Sequence, residues 1–348
     1  MKEGRINLYS DTQSRPPAPM REAIASALVG DEQSGQDPSV NQLCETVADL
    51  LGKEAAVFMP SGTMCNELAI LVHCRPGDEV YAHQSAHIIN FEGGGPAALA
   101  GVHIQPLAGE RGIYAADTLR SAIRPESRYF PRARLVEVEQ TANLGGGSVW
   151  SEQELSDVAG VACEHGLAVH MDGARLSNAA VAAGVPMRSF AQHADTVWID
   201  LSKGLACPVG AVLAGSSDFI GEIWRWKQRI GGAMRQAGIL AAAGNYALAH
   251  LYERLADDHA NAARFAELIV ACDGVKLTTP GVDTNIVLFD VEATGTSAPE
   301  LSAVLEARGI NIGAFSDTVM RACAHIDVSA ADVDEAAAAL IEEIEKRR

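Results

Sequence analysis

The chain has 348 residues, 48% of them hydrophobic, which is enough to bury a large core and to divide into two domains. The 27 Lys and Arg residues against 45 Asp and Glu residues give a net charge of −18, with no basic block of five or more residues. This balance argues against binding to nucleic acid or to an anionic membrane surface. The sequence shows no apolar signal segment and no membrane-length apolar stretch, so we expect a cytoplasmic protein.

The seven cysteines are odd in number, scattered along the chain and without a CxxC pair. This pattern is typical of reduced thiols and indicates neither a disulfide framework nor a zinc site. No other group of residues has the sequence spacing of metal ligands. We therefore expect no bound metal.

Short apolar runs that end in polar residues alternate with Ala-rich segments of helical periodicity. This alternation predicts an α/β protein with a mostly parallel, buried sheet. The predicted strands are Ala55 to Met59, Glu79 to Ala82, Arg134 to Glu139, Ala168 to Met171, Thr196 to Asp200 and Ala211 to Ala214.

The Ala/Leu-rich pattern from Gly232 to Leu255 predicts one long helix that leads from a first domain towards a second. We accordingly divide the chain into an N-terminal segment plus large α/β domain, residues 1–250, and a small C-terminal α+β domain, residues 251–348. Within the small domain, Asn285 to Val291 predicts a strand. Ser329 and Asp332 predict a capping box that opens the final helix.

Two reactive residues follow predicted strands. Asp172 comes directly after the run Ala168 to Met171, and Lys203 comes soon after Thr196 to Asp200. Because ligands of open α/β sheets bind beside the carboxyl ends of strands, we expect both side chains at one site. Pyridoxal phosphate needs a lysine amine for its Schiff base and a carboxylate on its pyridine nitrogen. Taken singly, Asp172 is equally well explained as a helix cap, and Lys203 is better explained as a solvated lysine.

Two further features lie earlier in the chain. The turn Pro60-Ser61-Gly62-Thr63 follows a predicted strand and opens a helical pattern, so its backbone N–H groups and hydroxyls suit a phosphate. An ordinary helix cap explains the same residues. His87 has a flat ring able to stack on a cofactor, although a lone histidine is more often structural. The order of phosphate turn, histidine, acid and lysine favours the cofactor interpretation.

Residue groups spread over nearly the whole chain form one wider pattern. They are Ser10-Asp11-Thr12 with Arg15-Pro16, Gly35-Gln36-Asp37-Pro38 with Val40-Asn41, Gly52 to Val57, Ser61 to Thr63, Ala86-His87 with Phe91-Glu92, His170 to Arg175, Leu201 to Gly204 with Pro208 to Gly210, and Gly231 to Gln236. Together they resemble the L-threonine aldolases, which are fold type I pyridoxal phosphate enzymes of the β-eliminating lyase superfamily. The resemblance implies that fold, that cofactor and an amino-acid substrate.

Carried over residue by residue, the resemblance implies a role for each matching position. The catalytic residues would be Lys203 as the Schiff-base lysine, Asp172 at the pyridine nitrogen and His87 on the cofactor ring. The implied cofactor-binding residues are Ser61, Gly62, Thr63, His87, Asp172, Arg175, Ser202, Lys203 and Arg235. The implied substrate-binding residues are Ser10, Arg175, Arg321 and Ala142. The family also implies a homotetramer or a dimer, with Arg235 acting across a subunit interface.

One departure from the family falls near the substrate. Many members have a histidine after Glu-x-Thr, beside the substrate hydroxyl, whereas this chain has Ala142 after Glu139-Gln140-Thr141. Alanine cannot transfer a proton, so the resemblance leaves His87, or a water that it orients, as the base. The smaller side chain also predicts room for bulky or aromatic β-substituents, with modest rather than absolute preferences.

The expected reaction is retro-aldol cleavage of L-threonine, L-allo-threonine or phenylserine into glycine and an aldehyde. Three alternatives stay open at this point. A related lyase would carry out β-elimination or deamination of the same substrates, and an aminotransferase would also move a proton to the cofactor. A non-catalytic binding protein on this fold would retain the cofactor residues without the reaction.

Overall fold

The computed structural model describes residues 5–347, and it places helices on both faces of a central sheet. Six helices begin at a side-chain cap: Asp37, Ser61, Ser151, Ser216, Ser297 and Ser329 each accept a hydrogen bond from a backbone N–H of the first turn. The helices are α1 (Ala18–Ala25), α2 (Pro38–Leu51), α3 (Gly62–His73), α4 (His87–Asn90), α5 (Ala116–Ala122), α6 (Glu152–Glu164), α7 (Leu176–Ala183), α8 (Arg188–Ala191), α9 (Ser217–Arg229), α10 (Gly238–His250), α11 (Leu255–Ile269), α12 (Ala298–Ala307) and α13 (Ala330–Glu345).

The strands form three sheets. They are β1 (Ile6–Asn7), β2 (Ala55–Met59), β3 (Asp78–His83), β4 (His103–Leu107), β5 (Arg132–Glu139), β6 (Ala168–Asp172), β7 (Thr196–Asp200), β8 (Ala211–Gly215), β9 (Lys276–Leu277), β10 (Ile286–Asp290), β11 (Ile310–Asn311), β12 (Gly313–Ala314) and β13 (Val319–Cys323). The large sheet has the order β2-β8-β7-β6-β5-β3-β4, and β8 alone runs antiparallel to its neighbours. A smaller antiparallel sheet has the order β12-β13-β10-β9, and β1 pairs with β11.

The direction of the strands positions the site. Because β5, β6 and β7 are parallel, Glu139, Asp172 and Asp200 all end their strands at one edge of the sheet. The core strands are apolar on both faces, as a sheet covered by helices on both sides requires. Acidic side chains therefore meet at one edge because they are the last residues of buried strands.

The mostly parallel α/β fold and the predicted strands are confirmed, each within a few residues of its predicted bounds. The strand β4 was not predicted, because Pro106 and a half-exposed pattern interrupt its signal. Proline is tolerated there since β4 is an edge strand of the large sheet. The predicted capping box of Ser329 and Asp332 is confirmed at the start of α13.

The prediction of one long helix from Gly232 to Leu255 is wrong. Gly231 ends the preceding helix with a positive φ of 79°, and α10 begins only at Gly238. The chain then turns between α10 and α11, where Leu255 N–H donates to Tyr252 O. Leu255 begins α11 and is fully buried in the main core.

A second apolar core lies in the C-terminal part of the chain, where Phe265, Phe289 and Leu340 pack between α11, β10 and α13. Ile6 and Leu8 join this second core, and β1 pairs with β11. The division at residue 250 stays a prediction, with the N-terminal strand packed on the C-terminal unit. Within residues 5–347, no helix is long and apolar enough to cross a membrane.

The close packing of Gly62 against Trp198 leads to a prediction about stability. A Cβ at Gly62 would lie 2.2 Å from the buried Trp198 ring, so we expect Gly62→Ala to cost about 1–3 kcal/mol of unfolding free energy. Gly160 lies within α6 and has open space around it, so Gly160→Ala should instead stabilise by about 0.5–1 kcal/mol. Urea unfolding measures both changes, and equal effects would contradict the close packing at Gly62.

Candidate active site

A cavity of about 330 Å³ opens at the carboxyl edge of the large sheet, between the sheet and the C-terminal unit. It brings together an amine, an imidazole, carboxylates and two guanidinium groups. Its lining residues are Tyr9, Ser10, Thr12, His87, Phe91, Glu139, Asn143, Asp172, Ala174, Arg175, Lys203, Gly313, Ala314, Phe315 and Arg321. The predicted residues Ser10, His87, Asp172, Arg175, Lys203 and Arg321 therefore share one cavity.

The amine of Lys203 lies in the loop that follows β7. Its Nζ is 3.0 Å from Asp200 Oδ2, and its side chain is only 16% exposed. Ser14 Oγ donates to the backbone carbonyl of Lys203, which ties this loop to the N-terminal segment. The lysine is thus a sheltered amine in a held loop and not a solvated surface group.

The carboxylate of Asp172 is buried at the end of β6, and each of its oxygens has a fixed donor. Oδ1 accepts from the N–H of Ala174, and Oδ2 accepts from Asn66 Nδ2 at 2.8 Å. Asn66 is itself fully buried on α3, and its Oδ1 accepts from Trp198 Nε1 at 2.7 Å. These bonds fix the orientation of Asp172 while it still faces the cavity.

His87 begins the short helix α4 at the cavity wall, with a side chain that is 34% exposed. Its Nδ1 lies 2.8 Å from Glu92 Oε1, and Asn66 Nδ2 donates to the same oxygen at 2.7 Å. A carboxylate can only accept, so Nδ1 carries the proton and Nε2 is left as the basic nitrogen. Burial opposes the charged ring, but the Glu92 bond and the nearby Asp172 and Glu139 carboxylates raise the pKa of His87.

Glu139 is a buried carboxyl that joins two loops of the cavity wall. Its oxygens accept the backbone N–H groups of His87 at 2.8 Å and of Asn143 at 2.6 Å. Burial and the neighbouring Asp172 carboxylate raise the pKa of Glu139 to about 7, against the effect of those two donors. The residue lies in the Glu139-Gln140-Thr141 motif, but the sequence alone gave it no role.

Two arginines also line the cavity. Arg175 Nε and Nη2 each donate to one oxygen of the buried Asp11 at 2.7 Å, and this bidentate pair aims Nη1 towards Asn143 Oδ1. Arg321 Nη1 donates to the same Asn143 oxygen at 3.1 Å. Although burial opposes it, the Arg175 guanidinium holds the pKa of Asp11 well below its usual range. Two positively charged side chains therefore donate to one acceptor atom, Asn143 Oδ1.

The residues expected at the phosphate do not line the cavity. Ser61 caps α3 by accepting from the N–H of Met64, and Gly62 and Thr63 form the first turn of that helix. Ser202 donates both its N–H and its hydroxyl to Asp200 Oδ1. Arg235 is exposed and paired with Asp31. Their proposed contacts with a phosphate stay predictions.

The expectation that Ala142 widens the substrate pocket is wrong for this cavity. Ala142 is 2% exposed and pairs with Ser148 in an isolated bridge. Its Cβ faces Gly112, where an added Cβ would lie 2.3 Å away. The next residue, Asn143, lines the cavity instead, so the alanine packs beneath the wall.

The structure also brings together three groups with metal-ligand chemistry that the sequence spacing did not indicate. One ligand atom each of His87, Glu92 and Asp172 lies within 4.8 Å of the others. Asn66 Nδ2 already donates to both carboxylates, and the His87 proton occupies the same Glu92 oxygen. We assign this trio to the hydrogen-bond network around the cavity.

Comparisons with known proteins identify the family. The family model described as beta-eliminating lyase matches residues 7–294. A low specificity L-threonine aldolase of Escherichia coli O157:H7 is 41% identical over 334 residues, which cover 96% of this chain and 97% of that protein. The low-specificity L-threonine aldolase 1 of Arabidopsis thaliana is 37% identical over 333 residues, 94% and 93% of the two chains. The chain belongs to the β-eliminating lyase family.

The fold of this lyase agrees with that assignment. The solved threonine aldolase of Leishmania major superposes with a TM-score of 0.84 at 21% identity, covering 97% of this chain and 99% of that one. The protein is thus a pyridoxal phosphate-dependent enzyme of fold type I. The cavity fits this cofactor, because a sheltered amine, an oriented carboxylate and an imidazole line it together.

The buried ion pair of Asp11 and Arg175 leads to a second prediction about stability. Asp11→Asn would leave the buried Arg175 charge without its partner, which costs about 3–5 kcal/mol of unfolding free energy. Glu306→Gln, which breaks the exposed pair with Arg5, should cost less than about 1 kcal/mol. Urea unfolding of the two variants distinguishes them. Similar losses would show that Asp11 does not hold Arg175 as described.

Proposed function

We propose that this lyase cleaves L-β-hydroxy-α-amino acids, with L-threonine and L-allo-threonine as the reference substrates, into glycine and an aldehyde. The observation that carries the proposal is the shared cavity, which is lined by Arg175 and Arg321 together with Lys203, Asp172 and His87. The arginines suit an amino-acid carboxylate, and the other three residues suit the cofactor. The names of the aldolase relatives at 37% and 41% identity support the same activity.

In this proposal Lys203 would hold the cofactor as a Schiff base, Asp172 would pair with its pyridine nitrogen and His87 would lie against its ring. Ser61, Gly62, Thr63 and Ser202 would bind its phosphate, because Ser202 precedes Lys203 and Gly62 packs against Trp198, whose ring centre lies 5.7 Å from Lys203 Nζ. When bound, pyridoxal phosphate supplies an electron sink for the substrate α-carbon.

The arginines orient the substrate. Both guanidinium groups donate to Asn143 Oδ1. A substrate carboxylate carries a full negative charge, so it would be a stronger acceptor for these N–H groups than the amide oxygen. Asp11 holds the Arg175 fork in place, and Ser10 lies beside it on the cavity wall. A carboxylate held at two points fixes the direction of the Cα–Cβ bond relative to Lys203, Asp172 and His87.

The proton steps fall to His87, either directly or through a water that it orients. Its Nε2 accepts the β-hydroxyl proton, the Cα–Cβ bond breaks and the aldehyde leaves. A proton is then returned to Cα, which gives glycine. The hydrogen bond from Nδ1 to Glu92 stabilises the ring when Nε2 takes up the proton.

Aromatic β-substituents are accepted, but for a reason other than Ala142. Phe91 and Phe315 line the cavity with exposures of 51% and 44%, and Tyr9 lies beside them. These rings present apolar surface at the mouth of the cavity, where a β-phenyl group can pack. This places phenylserine among the proposed substrates.

The assembly is a homotetramer or a dimer, and the compartment is the cytoplasm. Exposed Arg235 lies outside the cavity of its own chain, in keeping with a role across a subunit interface. The cysteines Cys44, Cys65, Cys74, Cys163, Cys207 and Cys323 form no disulfide, in keeping with a reducing compartment.

The test of the proposed reaction is a product assay of the cofactor-loaded protein with L-threonine, L-allo-threonine and L-phenylserine. We expect equimolar glycine and the matching aldehyde from each substrate. A keto acid with ammonia would show β-elimination or deamination instead, the reaction in the family's name. Cofactor uptake with no product would contradict the proposal and favour a binding protein.

Lys203→Ala should lose the visible absorbance band of the lysine-bound cofactor and, with it, turnover, because the variant has no amine to form the Schiff base. Lys276→Ala, which removes an exposed lysine of β9, is the matched control and should keep both. Spectra recorded during cofactor titration give the result. A band retained in Lys203→Ala would assign the anchor to another lysine.

Phe315→Ala should lower kcat/KM for phenylserine about tenfold more than for threonine, because the lost apolar contact is worth about 1–3 kcal/mol. Phe130→Ala removes a phenylalanine of similar exposure, 43%, that does not line the cavity. It should leave the ratio of the two substrates unchanged. An unchanged ratio in Phe315→Ala would contradict the packing of the β-substituent on this ring.

A further inference from the structure

Near the cavity, α3 carries a buried acid that the proposed reaction does not use. Glu67 is on α3 and is 4% exposed, and neither of its carboxyl oxygens has a hydrogen-bond donor. Its Oε1 packs against the backbone of Gly95, where an added Cβ would lie 1.8 Å away. An ionised carboxylate in this position would be buried without a partner, which is costly. The geometry therefore requires that Glu67 carry a proton or share one.

Glu92 is the neighbouring acid, because Glu67 Oε1 packs on Gly95, whose N–H donates to the backbone carbonyl of Glu92, and the two carboxyls interact directly. Glu92 Oε1 already accepts from His87 and Asn66, whereas its Oε2 is buried and has no other donor. Two facing carboxyls with one proton form a single strong hydrogen bond. Glu92 keeps the charge, since it has two further donors, and Glu67 keeps the proton.

We propose that Glu67 is a positioning residue that donates a shared proton to Glu92, so that Glu92 still accepts from His87 Nδ1 but carries too little charge to keep a proton on His87 Nε2. The chain of contacts runs from Glu67 through Glu92 to His87, and Asn66 joins Glu92 to Asp172. The role of His87 as the base rests on the proposed function. The shared proton does not, because it follows from the buried carboxyls alone.

Other titratable groups face this pair from the neighbouring elements. They are Glu137 and Glu139 on β5, Asp172 at the end of β6 and His87 on α4. Burial and Glu92 raise the pKa of Glu67 to about 8, while burial beside other carboxylates raises that of Glu137 as well. A Glu67 variant keeps all of these groups. The difference in pH dependence between the variant and wild type therefore reports the proton of Glu67.

The pH dependence of stability has a definite sign. Glu67 in the folded protein keeps a proton that the unfolded chain releases above its ordinary carboxyl pKa of 4.5. The folded state then binds more protons, so this group's contribution to stability falls as pH rises from about 4.5 to about 8 and is level above that. Glu67→Gln has the same shape and donates a hydrogen bond to Glu92, but it does not titrate.

The experiment compares the cofactor-loaded wild type, Glu67→Gln and Glu67→Leu, with Glu45→Gln on the exposed face of α2 as the control. Between pH 5 and pH 9, we expect the Tm of wild type to fall by about 3 °C or more relative to the Tm of Glu67→Gln. The Tm of the control Glu45→Gln should follow that of wild type across this pH range. Parallel curves for wild type and Glu67→Gln would overturn the shared proton.

The second readout is the ¹⁵N NMR titration of the His87 ring, assigned with His87→Gln. Glu67→Gln should keep the Nδ1–H form of His87, whereas Glu67→Leu, which removes the donor to Glu92, should raise the pKa of His87 by about one unit. An unchanged His87 in Glu67→Leu would overturn the positioning role. Neither readout needs turnover, so a failed product assay would count against the proposed reaction without bearing on Glu67.

Discussion

The cavity depends on the side-chain amide of Asn66. This residue is fully buried and all of its hydrogen-bonding capacity is used: Nδ2 donates to Asp172 and Glu92, and Oδ1 accepts from Trp198 and His170. One amide thus sets the distance between the carboxylates of Asp172 and Glu92 and the orientation of each. A buried polar network of this kind is rigid only when every member is satisfied, and here the amide is.

The charge distribution around the cavity follows from the sheet. Strands that end at one edge place Glu137, Glu139 and Asp172 close together under low dielectric, and the helices add Glu67 and Glu92. So many carboxyls cannot all be ionised at neutral pH. Burial raises the pKa of Glu67 and Glu137, whose carboxyl oxygens have no hydrogen-bond donor, and it raises the pKa of Glu139 to about 7 in spite of its two donors. Acidic groups therefore surround His87, while Arg175 and Arg321 add positive charge to the same cavity.

Much of this was predictable from sequence because it rests on local patterns. The strand periods, the acid at the end of β6 and the lysine after β7 identified the fold and the cofactor residues. The partners that orient those residues were not predictable: Asn66 and Glu67 look like ordinary positions of an apolar helix, and the pairing of Asp11 with Arg175 joins residues 164 apart in sequence. Ala142 was misjudged for the same reason, since the direction of its side chain is set by Gly112 in another loop.

The most direct test of the account is a crystal structure of the protein with pyridoxal phosphate and glycine. We expect electron density for the cofactor between His87 and Lys203, its pyridine nitrogen within hydrogen-bond distance of Asp172, and the glycine carboxylate on Arg175 and Arg321. A cofactor ring bound elsewhere would contradict the roles of His87, Lys203 and Asp172. A glycine carboxylate directed away from both arginines would contradict their role in substrate binding.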